Sequence, residues 1–258
     1  MKFKPIFSVL LVFLLFFSMV QSGYALECAP KNFYIKKNGY QRPLLPDDEK
    51  IIEDYDAIYI DKNRCDGETE KILYLTFDAG YENGNVEKIL DTLKEENVQG
   101  AFFLLRHIIQ KNTDLVKRMH DEGHLVCNHT LNHEDLTKCS KEEMKENLSR
   151  LEEIYTECTG QTMAKIFRFP EGRYDETRLA YAKELGYKTA FWSLAYADWD
   201  NENQMSPEKA KKILLDNTHN GAIILLHPTS STNAEILPDL IKEWRQMGYR
   251  FGNLADIC

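Results

Sequence analysis

The chain has 258 residues, 43% of them apolar and 28% charged. That suffices for one sizeable core, is too charged for a membrane-embedded protein, and matches the length one α/β barrel routinely takes. A formal net charge of −9 leaves no strongly basic surface, so nucleic acid is excluded as the main partner.

The first 25 residues read as a secretory signal peptide. Lys2 and Lys4 precede an apolar run from Ile6 to Val20, and Gly23 and Ala25 are small residues at −3 and −1 of a cleavage after Ala25. The rival is an uncleaved anchor, but the run is short of the roughly 20 residues a span needs. A secreted product with no stable membrane span is therefore expected. Loss of Lys2 and Lys4 takes the net charge from −9 to −11. Glu27 before Cys28 is wrong for a lipid-attachment box, where a small residue is expected. All six cysteines (Cys28, Cys65, Cys127, Cys139, Cys158 and Cys258) follow the leader. An oxidising compartment permits disulfides, and the absence of any CxxC spacing argues against a thiolate zinc site.

Residues 26–70 carry prolines and charges with little periodicity and read as an extended arm or cap. From Lys71 to the end at Cys258, β-rich runs alternate with helical stretches. The runs are Ile72–Phe77, Ala101–Leu105, Leu125–Asn128, Ile166–Phe169, Thr189–Trp192, Ala222–Leu226 and Arg250–Gly252. Ser140 with Glu143 predicts a capping box before a helix reaching about Cys158. Ser206-Pro207 predicts an N-cap with proline at the first helical position. Gly123, Gly186 and Gly248 stand where a left-handed residue would close a helix. Seven strands alternating with helices imply a parallel sheet, and the order suits a distorted seven- or eight-stranded (β/α) barrel.

Active sites of such barrels lie at the C-terminal ends of the strands. Asp78 follows the first strand, His129 and His133 the third, Arg168 ends the fourth, Asp198 follows the fifth and His227 the sixth. An HxxxH spacing is weak alone, because two surface histidines produce it as readily. At a strand-end rim it becomes a candidate site for a divalent ion, zinc by ligand type. Asp78 is the candidate general base or a helix cap. Arg168 would orient it and hold it ionised. His227 is the candidate general acid, with Asp198 fixing its tautomer. A backbone N–H near Tyr81 or Arg173 would stabilise the oxyanion. Trp192, Tyr196 and Trp199 would offer ring faces to a sugar, or simply pack the barrel top.

This order of motifs resembles the polysaccharide deacetylase (NodB-homology) family, carbohydrate esterase family 4, over about residues 70–257. Thr76-Phe77-Asp78 is similar to its first motif, His129-Thr-Leu-Asn-His133 to its metal motif, Arg168-Phe-Pro-Glu-Gly172 to its arginine motif, Asp198-Trp199 to its fourth and Leu225-Leu226-His227 to its last. The resemblance implies a NodB-type barrel, Asp78 as base, Arg168 orienting it, Leu225 lining the acetyl pocket and His227 as acid. Ala79 departs from the family pattern, which places a metal-ligating aspartate there. The stretches 76–84 and 191–199 resemble a subgroup, the PdaA-like deacetylases of spore-forming bacteria, which carry Asn at that position. That implies de-N-acetylation of N-acetylmuramic acid in peptidoglycan, leading to the muramic δ-lactam of spore cortex. A glycan strand as partner, a monomer, and a cell-wall or spore-envelope location are the matching expectations. The rivals are the same chemistry on another sugar (peptidoglycan N-acetylglucosamine, chitin oligomers or acetyl-xylan) and an inactive wall-binding homologue, with Ala79 as its clue. A metal-free glycosidase ranks last, because few carboxylates end the strands.

Overall fold

The computed structural model describes residues 29–258. The expected leader and Cys28 lie outside these. Among the described residues nine strands are formed: β1 Lys31–Asn32, β2 Lys71–Ala79, β3 Gly100–Leu104, β4 Leu125–Asn128, β5 Ile166–Phe167, β6 Arg173–Tyr174, β7 Lys188–Thr189, β8 Ala222–Leu226 and β9 Tyr249–Phe251. Eight α-helices accompany them: α1 Ile51–Asp54, α2 Asn85–Glu95, α3 Arg106–Lys111, α4 Thr113–Asp121, α5 Lys141–Thr159, α6 Glu176–Glu184, α7 Pro207–Asp216 and α8 Ser231–Gln246.

Seven strands make one parallel sheet in the order β7-β5-β4-β3-β2-β8, with β9 beside the first residues of β2. The sheet curls into the (β/α) barrel expected. Two segments close its seam. Leu194 bridges Ile224 of β8, while Ile58 and Ile60 of the N-terminal arm bridge Ala190 and Ala222. This explains why two strands are shorter than the sequence suggests. Beyond Thr189 the backbone turns to the arm, with Phe191 N–H donating to the Ile58 carbonyl. Beyond Phe167, Arg168 still pairs with Asn128, but Pro170 has no N–H and the chain enters a 3₁₀ turn at Pro170–Gly172.

The pleat sorts the side chains. Leu73, Leu75, Phe77 and Ala79 of β2 join the core between sheet and helices, whereas Tyr74 joins Ala101, Phe103, Cys127 and Ile223 inside the barrel. Thr76 and Asp78 continue that inner row toward the C-terminal rim. The helix ends follow the sequence signals. Ser140 and Glu143 form the capping box of α5, and Ser206 caps α7 ahead of Pro207. Gly123, Gly186 and Gly248 all have φ above +80°.

The arm is a cap fixed to the barrel. β1 pairs antiparallel with β6, and Phe33 stacks on Phe191 at 4.4 Å between centroids. Among the described residues the cysteines are free, and no helix is long and apolar enough to cross a membrane.

Candidate active site

Asp78, at the end of β2, meets Arg168 just past β5. The guanidinium is fully buried, so each of its donors needs an acceptor. Nη1 donates to Asp78 Oδ1 at 2.7 Å, Nη2 to Thr76 Oγ1 at 3.0 Å and to the Phe191 carbonyl at 3.1 Å, and Nε to the Ala190 carbonyl at 3.0 Å. Its plane lies over the Phe103 ring at 4.0 Å. Burial alone would raise the Asp78 pKa. The charge and hydrogen bond of Arg168, with the charge of His227 when protonated, outweigh it and hold the carboxyl below its usual range. Asp78 is therefore an ionised, oriented carboxylate.

The histidine pair sits in a loop, not on a helix. Thr130 and His133 both take positive φ, and Asn128 Oδ1 accepts the Thr130 N–H to hold the turn. The two rings are 5.1 Å apart, nearly perpendicular. His129 Nδ1 contacts the Arg168 carbonyl at 2.9 Å. A carbonyl only accepts, so Nδ1 carries the proton and Nε2 keeps its lone pair. Burial drives the His129 pKa down to about 4, so the ring is neutral at pH 7. Nε2 then faces Asp78 Oδ2 at 3.6 Å. Two acceptors so placed repel unless a cation lies near both, which fits a metal site. The donor set is sparse. Ala79 is fully buried in the helix-side core and offers no ligand atom. Among the described residues no cluster of three His, Cys, Asp or Glu side chains could hold a metal. The residues thus fit an open site with two imidazole ligands.

Across the rim stands a second pair. His227 Nδ1 meets Asp198 Oδ1 at 2.7 Å, and the His227 backbone N–H donates to Asp198 Oδ2 at 2.8 Å. Burial lowers the His227 pKa, but the hydrogen bond and charge of Asp198, aided by Asp78, leave it raised. Nδ1 is taken by Asp198, so Nε2 is the atom free to act.

Asp78, His133 and His227 share a cavity of about 650 Å³ with Trp192, Tyr196, Trp199 and Leu225. Glu171 and Asn32 also line it, the first from the turn after Arg168 and the second from the arm. Gly172, at φ +60°, lets this wall close, since a Cβ there would sit 2.8 Å from Trp192. Two expected substrate contacts lie outside this lining. The Arg173 side chain turns to Asp135 and Asn32, at 3.1 Å each. Its backbone N–H is taken by the Pro170 carbonyl, so it is not free for an oxyanion. Tyr81 is half exposed, its hydroxyl bonded to Asn201. Sequence reasoning missed that Asn32 and Glu171 line the cavity, and missed Asn233 of α8, which bonds Asp198. No motif flagged Asn233; the one signal is its place three residues after the N-cap Ser230.

The sequence matches the Polysaccharide deacetylase family model over residues 66–190. It is 39% identical over 232 residues to peptidoglycan-N-acetylmuramic acid deacetylase PdaA of Bacillus subtilis, covering 88% of this chain and 86% of that protein. The chain belongs to the polysaccharide deacetylase family. Its fold agrees. A solved structure of B. subtilis PdaA, a family 4 carbohydrate esterase, superposes with a TM-score of 0.82 at 38% identity, covering 88% of this chain and 96% of that one. A peptidoglycan-N-acetylglucosamine deacetylase of Bacillus cereus is 33% identical over 71% of this chain and 66% of its own length. The family also contains a member described as a pseudoenzyme, from Bacillus anthracis. It matches at a TM-score of 0.67 and 26% identity over 73% of this chain and 65% of that one. Family membership thus makes this chain kin to hydrolases of carbon–nitrogen bonds in glycans, and the named relatives differ in sugar.

Proposed function

We propose that this protein is a secreted, metal-dependent peptidoglycan deacetylase that removes acetyl from N-acetylmuramic acid, leading to the muramic δ-lactam of spore cortex. The observation that carries the chemistry is the pairing of an ionised Asp78 with a cationic-tending His227 across one sugar-sized cavity. The likeness to PdaA supports the muramic substrate.

Asp78 takes the proton of the water that attacks the acetyl carbonyl carbon. Arg168 holds that carboxylate in place and keeps it charged until the proton arrives. His227 Nε2 gives its proton to the sugar nitrogen as the C–N bond breaks, and acetate leaves. Asp198 fixes the tautomer and stabilises the imidazolium. His129 and His133 would hold a divalent ion, zinc by ligand type, which when bound supplies Lewis acidity to the carbonyl and the attacking water. The aromatic wall excludes bulk water and packs the sugar face. The freed amine can then close on the lactyl carboxyl with loss of water.

Ala79 favours one second reading, a wall-binding homologue without activity, given that the family contains a pseudoenzyme. Acetate release from purified peptidoglycan separates the two. Release that stops with chelator and returns with zinc supports the enzyme, and its absence under every metal tried supports the binding protein. The leader expected at residues 1–25 and the acting domain from Lys71 onward fit export to the wall or spore envelope, with the arm as part of the folded unit.

A further inference from the structure

Asp198 is 2% exposed, so its charge must be met by internal donors. His227 supplies two of them. The third is Asn233, in the first turn of α8, whose Nδ2 donates to Asp198 Oδ2 at 2.6 Å and to the His227 carbonyl at 3.0 Å. Both amide hydrogens are thereby used. Its Oδ1 accepts from the Tyr196 hydroxyl at 2.6 Å, and Tyr196 lines the cavity. The residue is itself 1% exposed. A mere space filler would not need all three contacts aimed at the pair that faces the substrate.

We infer that Asn233 is a positioning residue for the proton donor: it clamps Asp198 and the His227 backbone together and ties both to the cavity wall through Tyr196. The helix first turn is suited to this. The Asn233 N–H is held by the Ser230 N-cap hydroxyl at 3.1 Å, so the side chain leaves a fixed point. The inference rests on His227 being the acid. The charged groups facing that imidazole are Asp198 from its own loop, Asp78 from β2 and Arg168 after β5. Asn233 draws on the Asp198 charge without adding one. Its removal leaves the carboxylate less shared and more available to the imidazolium, and frees the His227 backbone to shift.

The test is kcat and KM against pH for purified metal-loaded wild type, Asn233→Ala, Thr232→Ala and His227→Gln. Thr232 lies in the same turn and donates to the Met205 carbonyl at 2.8 Å, so it reports structure alone. Asn233→Ala is expected to lower kcat about 10- to 100-fold with KM little changed, as misplacement of a reacting group does. Its alkaline limb should move up by about half to one unit. Thr232→Ala should lower Tm without moving that limb. If Asn233→Ala does not fold, Asn233→Ser replaces it. A limb that stays at the wild-type position in the folded variant overturns the inference, as does a kcat loss no larger than that of Thr232→Ala. The alkaline limb should vanish in His227→Gln. If it persists there, the assignment of His227 as acid fails. If it vanishes there and is unmoved by Asn233→Ala, only the role of Asn233 fails.

Discussion

The rim has two sides built on different principles. On one, Asp78, Thr76, Arg168 and His129 stand on or just beyond three parallel strands of the sheet, β2, β5 and β4; one buried guanidinium with four bonded N–H groups holds Asp78 and Thr76, and the Arg168 carbonyl holds His129. On the other, Asp198 and His227 come from a loop and a strand end, and a helix outside the sheet locks them through Asn233. The first side fixes a negative charge by a buried positive one. The second fixes a negative charge, Asp198, by a backbone N–H, the Asn233 amide and the His227 imidazole itself, and leaves that imidazole able to gain and lose a proton. A base that must stay ionised suits the first, and an acid that must cycle suits the second.

The base side should break hardest. Asp78→Asn keeps the shape and removes the charge, and kcat on acetylated glycan is expected to fall about 10²–10⁴-fold, the range for a positioned general base. Acetate release under saturating substrate reads this. A loss under about threefold, far short of that range, would move the base elsewhere.

Arg168→Met should come next, in two measurements at once. Removing one partner of a buried pair costs about 3–5 kcal/mol, so Tm falls. Burial then acts on Asp78 with less opposition, and its pKa rises. Activity needs the ionised form, so the acid limb of kcat/KM should move toward neutral pH. In wild type that limb should lie below the ordinary carboxylate range, because the Asp78 pKa is lowered. An acid limb unmoved in Arg168→Met would contradict the coupling.

Asp198→Asn probes the other side with the opposite sign. The His227 pKa is raised by Asp198 against the pull of burial. Without that charge it falls, and the protonated acid is lost at lower pH. The alkaline limb should drop by roughly one unit, equivalent to a tenfold loss of donor above it. The acid limb should stay where it is, so each side of the rim moves its own limb.

The smallest effect concerns the sugar. Glu171 puts a second carboxylate on the cavity wall, exposed at its edge. A muramic residue with a free lactyl carboxyl would feel it as repulsion. Glu171→Gln is expected to raise kcat/KM on that substrate by about two- to fivefold at low salt, the size of one screened charge contact. A neutral N-acetylglucosamine oligomer should show no change.

Much of this was legible in the sequence because parallel barrels gather strand ends on one rim. Asp78, His129, Arg168 and His227 each end or follow an apolar run, so the first ionisable residue at most strand ends marks the site; Arg106 after β3, which turns to Asn132, is an exception. The left-handed φ at Thr130 and His133 was not legible, since i, i+4 spacing does not fix the backbone of a turn and distant groups help to hold this one, the Arg106 N–H on the Leu131 carbonyl and Asn147 Oδ1 on the Leu131 N–H. The direction of Arg173 was also hidden, because Asp135 and the arm residue Asn32 capture it from distant parts of the chain. Ile58-Tyr59-Ile60 are β-prone residues, but so short a run inside an aperiodic arm reads as part of the cap; in the fold they fill the barrel seam by bridging Ala190 just past β7 and Ala222 of β8. Asn233 escaped because an asparagine in a first helical turn is ordinary, and only folding brings Asp198 within its reach.

The central claim is hydrolysis of the muramic N-acetyl group by a site that depends on His129 and His133. Mass spectrometry of muropeptides from treated peptidoglycan tests it most directly, comparing wild type, wild type with chelator, and His129→Ala. Free muramic acid or its δ-lactam should appear with metal-loaded wild type and be absent from the other two. Acetyl loss confined to glucosamine residues, or loss that persists with chelator and in His129→Ala, would contradict the account.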